Sequence, residues 1–175
     1  WDKQLGSLIN EEVWPAVFKL GDRVVYPMHG AGIIEAIEEK EILGEKQQYY
    51  IMRLPLGDMR VMIPLRNANV IGIREVVSDD GLEQALAVLQ EAETSMPSNW
   101  NQRYRANLEK IRTGDIMTVA EVMRNLVKRD QEKGLSTGER KMLDTARQIF
   151  VSELILVRDM EEESAMRLID GLLGS

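Results

Sequence analysis

The spacing of apolar and polar positions changes once along the chain. Through residues 18–77 apolar residues fall in short runs broken by turn residues, the texture of short strands. Residues 23–27 read as a first strand, followed by a turn at His29-Gly-Ala-Gly32, where glycines admit positive φ. Residues 32–43 predict a long strand, 44–46 a hairpin turn and 48–54 its partner. A turn at 55–58, a strand at 59–63 and a short last strand at 69–73 complete five strands, the pattern of a small barrel of Tudor or SH3 type.

At Ser78-Asp79-Asp80 the period passes from two to 3.6, and every later segment reads as helix. The boundary divides the chain into a β domain over 18–77 and an all-α bundle over 78–175, an α+β protein. Leu82, Leu86 and Leu89 form the stripe of a first helix, which Met96-Pro97 ends. A second begins after Pro97-Ser98, with Ser98 as its N-cap. Thr118-Val-Ala-Glu121 and Ser136-Thr-Gly-Glu139 both have the form of capping boxes and predict two further helix starts. The third helix puts Val119, Val122, Met123, Leu126 and Val127 on one face, with Arg124, Lys128 and Arg129 opposite. The fourth buries Leu143, Ala146, Phe150 and Leu154 and runs to about Arg158. A short fifth docks through Ile169, Leu172 and Leu173. Residues 1–17 show neither pattern and read as a tail, disordered or not native, since the sequence opens on Trp1.

Composition narrows the chemistry. There is no cysteine and one histidine, so disulfides, thiolate nucleophiles and cysteine-bound zinc are out, and a single imidazole cannot serve as both base and ligand. A non-enzymatic protein without cofactor is expected. No apolar run approaches a membrane span and the sequence opens without signal-peptide grammar, which predicts a cytoplasmic protein. The net charge of −7 argues against nucleic acid until it is resolved along the chain. Residues 98–149 hold eleven basic and seven acidic groups, and the acidic excess sits mostly at the ends.

His29-Gly-Ala-Gly32 lacks both phosphate-binding glycine signatures and reads as a turn, with His29 structural. Glu35, Glu38, Glu39, Glu41 and Glu45 read as a solvated strand face that discourages unwanted pairing. Lys40, Ile42, Arg60 and Met62 become near neighbours if the strands pair in sequence order, a mixed surface suited either to a partner or to solvent. In the second helix Trp100 is in phase with Tyr104, Leu108 and Ile111, which makes a core stripe. Its first-turn position supports a different use. Arg103, Arg105, Arg129, Arg140 and Lys141 can gather around a projecting indole, and cations around a planar wedge suit a base step at a duplex junction. Both readings stand on the pattern alone.

Phe18-Lys-Leu-Gly-Asp-Arg-Val-Val-Tyr-Pro-Met-His-Gly-Ala-Gly32, Pro97-Ser-Asn-Trp-Asn-Gln-Arg-Tyr-Arg105 and Arg129-Asp-Gln-Glu-Lys-Gly-Leu-Ser-Thr-Gly-Glu-Arg-Lys-Met-Leu143 together closely resemble the CarD (CdnL) bacterial transcription regulators. The resemblance spans about residues 18–157. It implies a Tudor-like domain, shared with transcription-repair coupling factors, that binds the β subunit of RNA polymerase, here through Lys40, Ile42, Arg60 and Met62. It also implies a helical domain that contacts promoter DNA at the upstream edge of the transcription bubble, favouring the open complex. Trp100 would be the wedge, with Arg103, Arg105, Arg129 and Arg140 on the backbone. The family carries arginines where this chain has Lys40 and Met62, so the guanidinium fork is lost at both positions. A monomer is expected. The competing reading is an adaptor on polymerase or a repair factor, whose helical domain docks on protein and keeps Trp100 in its core.

Overall fold

The structure is a computed structural model and describes residues 16–174. The tail reading for residues 1–17 therefore falls outside the described residues except at its last two positions, where the Val17 N–H donates to the Tyr50 hydroxyl at 2.7 Å.

Strands β1 (Arg23–Tyr26), β2 (Gly30–Ile42), β3 (Glu45–Leu54), β4 (Met59–Pro64) and β5 (Arg74–Glu75) form one five-stranded antiparallel sheet in the order β4-β3-β2-β1-β5. Four of the five predicted strands are present. The fifth is displaced, because residues expected to extend at 69–73 instead form a helical turn, α1 (Ala68–Ile71), closed by Gly72 in the left-handed region. A stretch of five residues with apolar positions at 70, 71 and 73 fits either period, and Ala68 at the head of the turn is buried.

The hairpin between β2 and β3 turns on Leu43 and Gly44, both at positive φ, so pairing runs outward to Ile42 opposite Glu45. One face of the sheet closes over Val24, Ile34, Tyr50, Met52, Leu54 and Ile63. Gly32 belongs to β2 and not to the turn before it: a Cβ there would lie 2.5 Å from the Arg53 carbonyl oxygen, so the close approach of β3 requires glycine.

The helices are α2 (Asp79–Gln90), α3 (Trp100–Arg112), α4 (Ile116–Lys133), α5 (Thr137–Arg158) and α6 (Glu162–Leu173). Ser78 caps α2, where the period changes, and the helix ends at Gln90, well before Met96. The Ser136–Glu139 capping box forms as its spacing predicts. The one expected at Thr118–Glu121 does not: the N-cap of α4 lies three residues earlier at Asp115, whose carboxylate accepts the Thr118 N–H at 3.1 Å. The predicted apolar faces of α4 and α5 are buried and meet in one core with α2 and α6.

The bundle and the sheet pack directly on each other through a second face of α5. The Ala31 N–H donates to Ser152 Oγ at 2.8 Å, and a Cβ at Gly30 would lie 2.7 Å from that oxygen. Glu153, 1% exposed, takes Arg74 in a bidentate pair at 2.7 and 2.9 Å. Its Oε1 also accepts the Val77 N–H, at the junction of the two units. A buried carboxylate persists only when paired in this way.

Candidate functional site

Helix α3 buries Arg103, Asn107 and Ile111, a face spaced by four residues and mostly polar. Trp100, Tyr104 and Leu108 lie on its flank. Tyr104 and Leu108 are half-buried against the core, and Trp100 remains 43% exposed. Asn99, not Ser98, is the N-cap; its side chain accepts the Gln102 N–H at 3.1 Å, which makes Trp100 the first residue of the helix.

The indole is held on three sides. Its ring stacks on Tyr104 with centroids 5.1 Å apart and planes 22° from parallel. Its Nε1–H donates to Ser136 Oγ at 2.9 Å. Beneath both rings lies Gly138, where a Cβ would stand 3.5 Å from Trp100 Cζ2 and from Tyr104 Cε2. The capping box that starts α5 is thus also the seat of the tryptophan.

Arg103 is the first correction among the expected phosphate ligands. It is 3% exposed, with its Nε donating to Glu139 Oε1 at 2.5 Å and its Nη1 to the carbonyls of Pro97 and Ser98. No surface is left for a phosphate; the guanidinium instead joins the approach to α3 to the first turn of α5. Burial alone would push the Glu139 carboxyl up, but the Arg103 hydrogen bond, the Ser136 N–H and the Arg103 charge together hold it below its ordinary value. Arg124, expected on the outer face of α4, is likewise internal. It is 2% exposed and donates to the Val88 carbonyl, Thr94 Oγ1 and Asn125 Oδ1, fastening the segment between α2 and α3. Glu121 on the same helix is lowered chiefly by its Lys110 hydrogen bond, against burial.

The remaining cations stay at the surface. Arg140 is 58% exposed and makes a long contact of 3.4 Å with Asp130, an arrangement that gives little stability. Lys141 and Arg105 are exposed, and among the described residues neither has an ion pair. Arg140 and Lys141 stand two and three residues after Gly138 in the first turns of α5, and Arg105 follows Tyr104 on α3. Arg129 is half-buried beside a pocket of about 360 Å³ that Thr94, Met96 and Lys133 also line, and its Nε has no partner.

On the sheet, Lys40, Ile42, Arg60 and Met62 share the face opposite the core. Met62 stands across from Ile51, and Ile51 across from Ala36, four positions from Lys40 on β2. That separation is about 13 Å along the strand. β4 pairs only as far as Tyr49, so Lys40 and Ile42 ride on a hairpin arm beyond its end. The four are on one face but are not the near neighbours that the strand order predicts. A bulge at Glu35 turns that carboxylate to the same face, where it meets Arg53 at 3.0 Å and Arg60 at 3.2 Å. Ile42 and Met62 are 47% and 42% exposed, and Leu43 at the hairpin tip is fully so. Among the described residues no cluster of His, Asp or Glu is placed to hold a metal ion, and no helix is long and apolar enough to cross a membrane.

Sequence reasoning missed Ser136, Gly138 and Glu139 as parts of the tryptophan's setting. The capping box was visible in the sequence, but its contact with Trp100, 36 residues away, was not.

Comparison with known proteins agrees with this architecture. Residues 18–77 match the family described as the CarD-like/TRCF RID domain, and residues 84–170 match CarD, C-terminal domain. The chain is 46% identical over 147 residues to the "Putative transcription factor YdeB" of Bacillus subtilis (strain 168), an alignment covering 84% of this chain and 96% of that protein. The solution NMR structure of the 72-residue N-terminal domain of Myxococcus xanthus CarD shares 38% identity, covers 33% of this chain and 77% of that one, and gives a TM-score of 0.30. With both domains matched in order and a relative this similar along nearly its whole length, the chain belongs to the CarD family of transcription regulators that act with RNA polymerase.

Proposed function

We propose that this protein holds the polymerase β subunit through the outer face of its sheet and stabilises the open promoter complex by setting Trp100 against DNA at the upstream edge of the bubble. The observation that carries the reading is the state of the indole. A large aromatic ring stays 43% exposed at a helix start while its only polar atom is satisfied inside the protein. What it offers outward is a flat apolar surface at the start of α3, and the two helices that hold it, α3 and α5, also carry the exposed Arg105, Arg140 and Lys141. An apolar plane enters an opened base step, and nearby cations hold the phosphates on either side.

The modest charge of this corner suits a protein already bound to polymerase, because tethering supplies a high local concentration and weak intrinsic DNA affinity is enough. Arg129 contributes from the α4 side, where its half-buried side chain borders the pocket that Lys133 also lines. On the sheet, Ile42, Met62 and Leu43 supply apolar contact and Lys40 and Arg60 supply charge. The protein acts as a cytoplasmic monomer and needs no cofactor.

Replacing Trp100 by Ala tests the reading in a promoter assay with cognate RNA polymerase. The open-complex lifetime is expected to fall to that measured without the protein, while the full chain stays folded and still binds polymerase. An unchanged lifetime would support the alternative in which the helical unit docks on protein.

A further inference from the structure

We infer that Ser136 is a positioning residue for Trp100, its hydroxyl fixing the direction in which the indole is presented. The inference rests on the reading that Trp100 acts on DNA.

A serine hydroxyl has two acceptor sites and one proton. In Ser136 the oxygen accepts the Trp100 Nε1–H at 2.9 Å and the Glu139 N–H at 3.2 Å. Its proton is directed to Glu139 Oε2 at 3.3 Å. All three capacities are taken by protein groups, so the hydroxyl cannot turn away from the indole without abandoning the cap. Glu139 is itself anchored through its other oxygen by Arg103, which holds the carbonyls of Pro97 and Ser98 just ahead of Trp100. The chain entering α3 and the first turn of α5 are therefore joined twice, once through a buried ion pair and once through the indole.

Tyr104 stacked on the ring and Gly138 beneath it oppose tilting, and the Ser136 bond opposes rotation in the ring plane. A ring with one orientation need not be ordered when it meets DNA, and preorganisation of this kind strengthens binding without adding a contact.

Two substitutions separate positioning from stability. Ser136→Gly retains an acceptable N-cap at the observed φ of −64° and ψ of 165° while deleting the hydroxyl. Trp100→Phe keeps a ring and leaves Ser136 and its cap intact, but lacks the N–H. The indole resonance of Trp100 in ¹⁵N NMR spectra of the full chain is identified by its absence in W100F. In S136G that resonance is expected to move and its hydrogen to exchange faster. The open-complex lifetime should fall about threefold to tenfold, the range that one hydrogen bond supports. Ser136→Thr should restore both readouts, and S136G should cause no further loss in the W100F background. If S136G is poorly folded, W100F alone tests the same bond from the other side and should show the same partial loss. An unmoved indole resonance in S136G, or losses that add in full in the double variant, would overturn the inference alone. An unaffected lifetime in W100A would overturn the DNA reading and this inference with it.

Discussion

The two exposed surfaces are supported in different ways. On the sheet, Lys40, Ile42, Arg60 and Met62 stand outward because alternate residues of a strand must, and Met62, opposite Ile51, needs nothing beyond the pleat. At the bundle corner Trp100 stands outward because a buried ion pair, a capping box and a stacked tyrosine hold it there. The first surface depends on backbone register and tolerates exchange of single side chains. The second depends on a polar network whose loss reaches the fold.

The largest difference should therefore appear when that network is broken. Glu139→Ala leaves Arg103 buried without a counter-charge and is expected to lower unfolding stability by about 3–5 kcal/mol in denaturant titration. A loss below about 1 kcal/mol would mean that the pair is not closed in solution. Trp100→Ala should cost less than about 2 kcal/mol, because it removes a stacked pair and one hydrogen bond from a ring still partly in water. A core tryptophan would cost about 3–5 kcal/mol.

On the sheet, Met62→Asp is expected to leave stability within about 0.5 kcal/mol and to weaken polymerase binding about tenfold, measured by titration of the full chain. Smaller still are the corner cations. Arg105→Ala and Lys141→Ala should be silent in unfolding, and each should reduce the salt dependence of promoter binding by about one phosphate contact.

The network also sets a pH dependence. Glu139 has a folded pKa below its ordinary value, so its contribution is complete at neutral pH, above the unfolded value. That contribution is lost as pH falls through the acidic range to the folded value. Glu121 acts in the same direction. Acid unfolding curves of Glu139→Gln should be flatter than those of the native protein.

Most of the fold was legible because periodicity of two or 3.6 follows directly from which side chains face a core. The failures share a cause. Arg103, Asn107 and Arg124 are polar groups on buried faces, and hydropathy assigns such residues to solvent. For that reason Trp100, Tyr104 and Leu108 looked like the axis of α3 when they form its flank. Arg103 and Arg105 are alike in the sequence, yet two positions on a helix separate a buried tie from an exposed cation. The distinction needed Glu139, 36 residues away, and no local pattern carries that contact. Lys40 and Met62 could be placed on one face from alternation, but their separation required the actual ends of β4.

The central claim is that Trp100 lies against a base at the upstream edge of the bubble. A promoter carrying 2-aminopurine at that position reports it directly, because a stacked indole quenches the probe. In open complexes formed with polymerase, the native protein should lower the probe's emission relative to W100A, with both proteins bound to saturation. Equal emission from the two complexes would contradict the account.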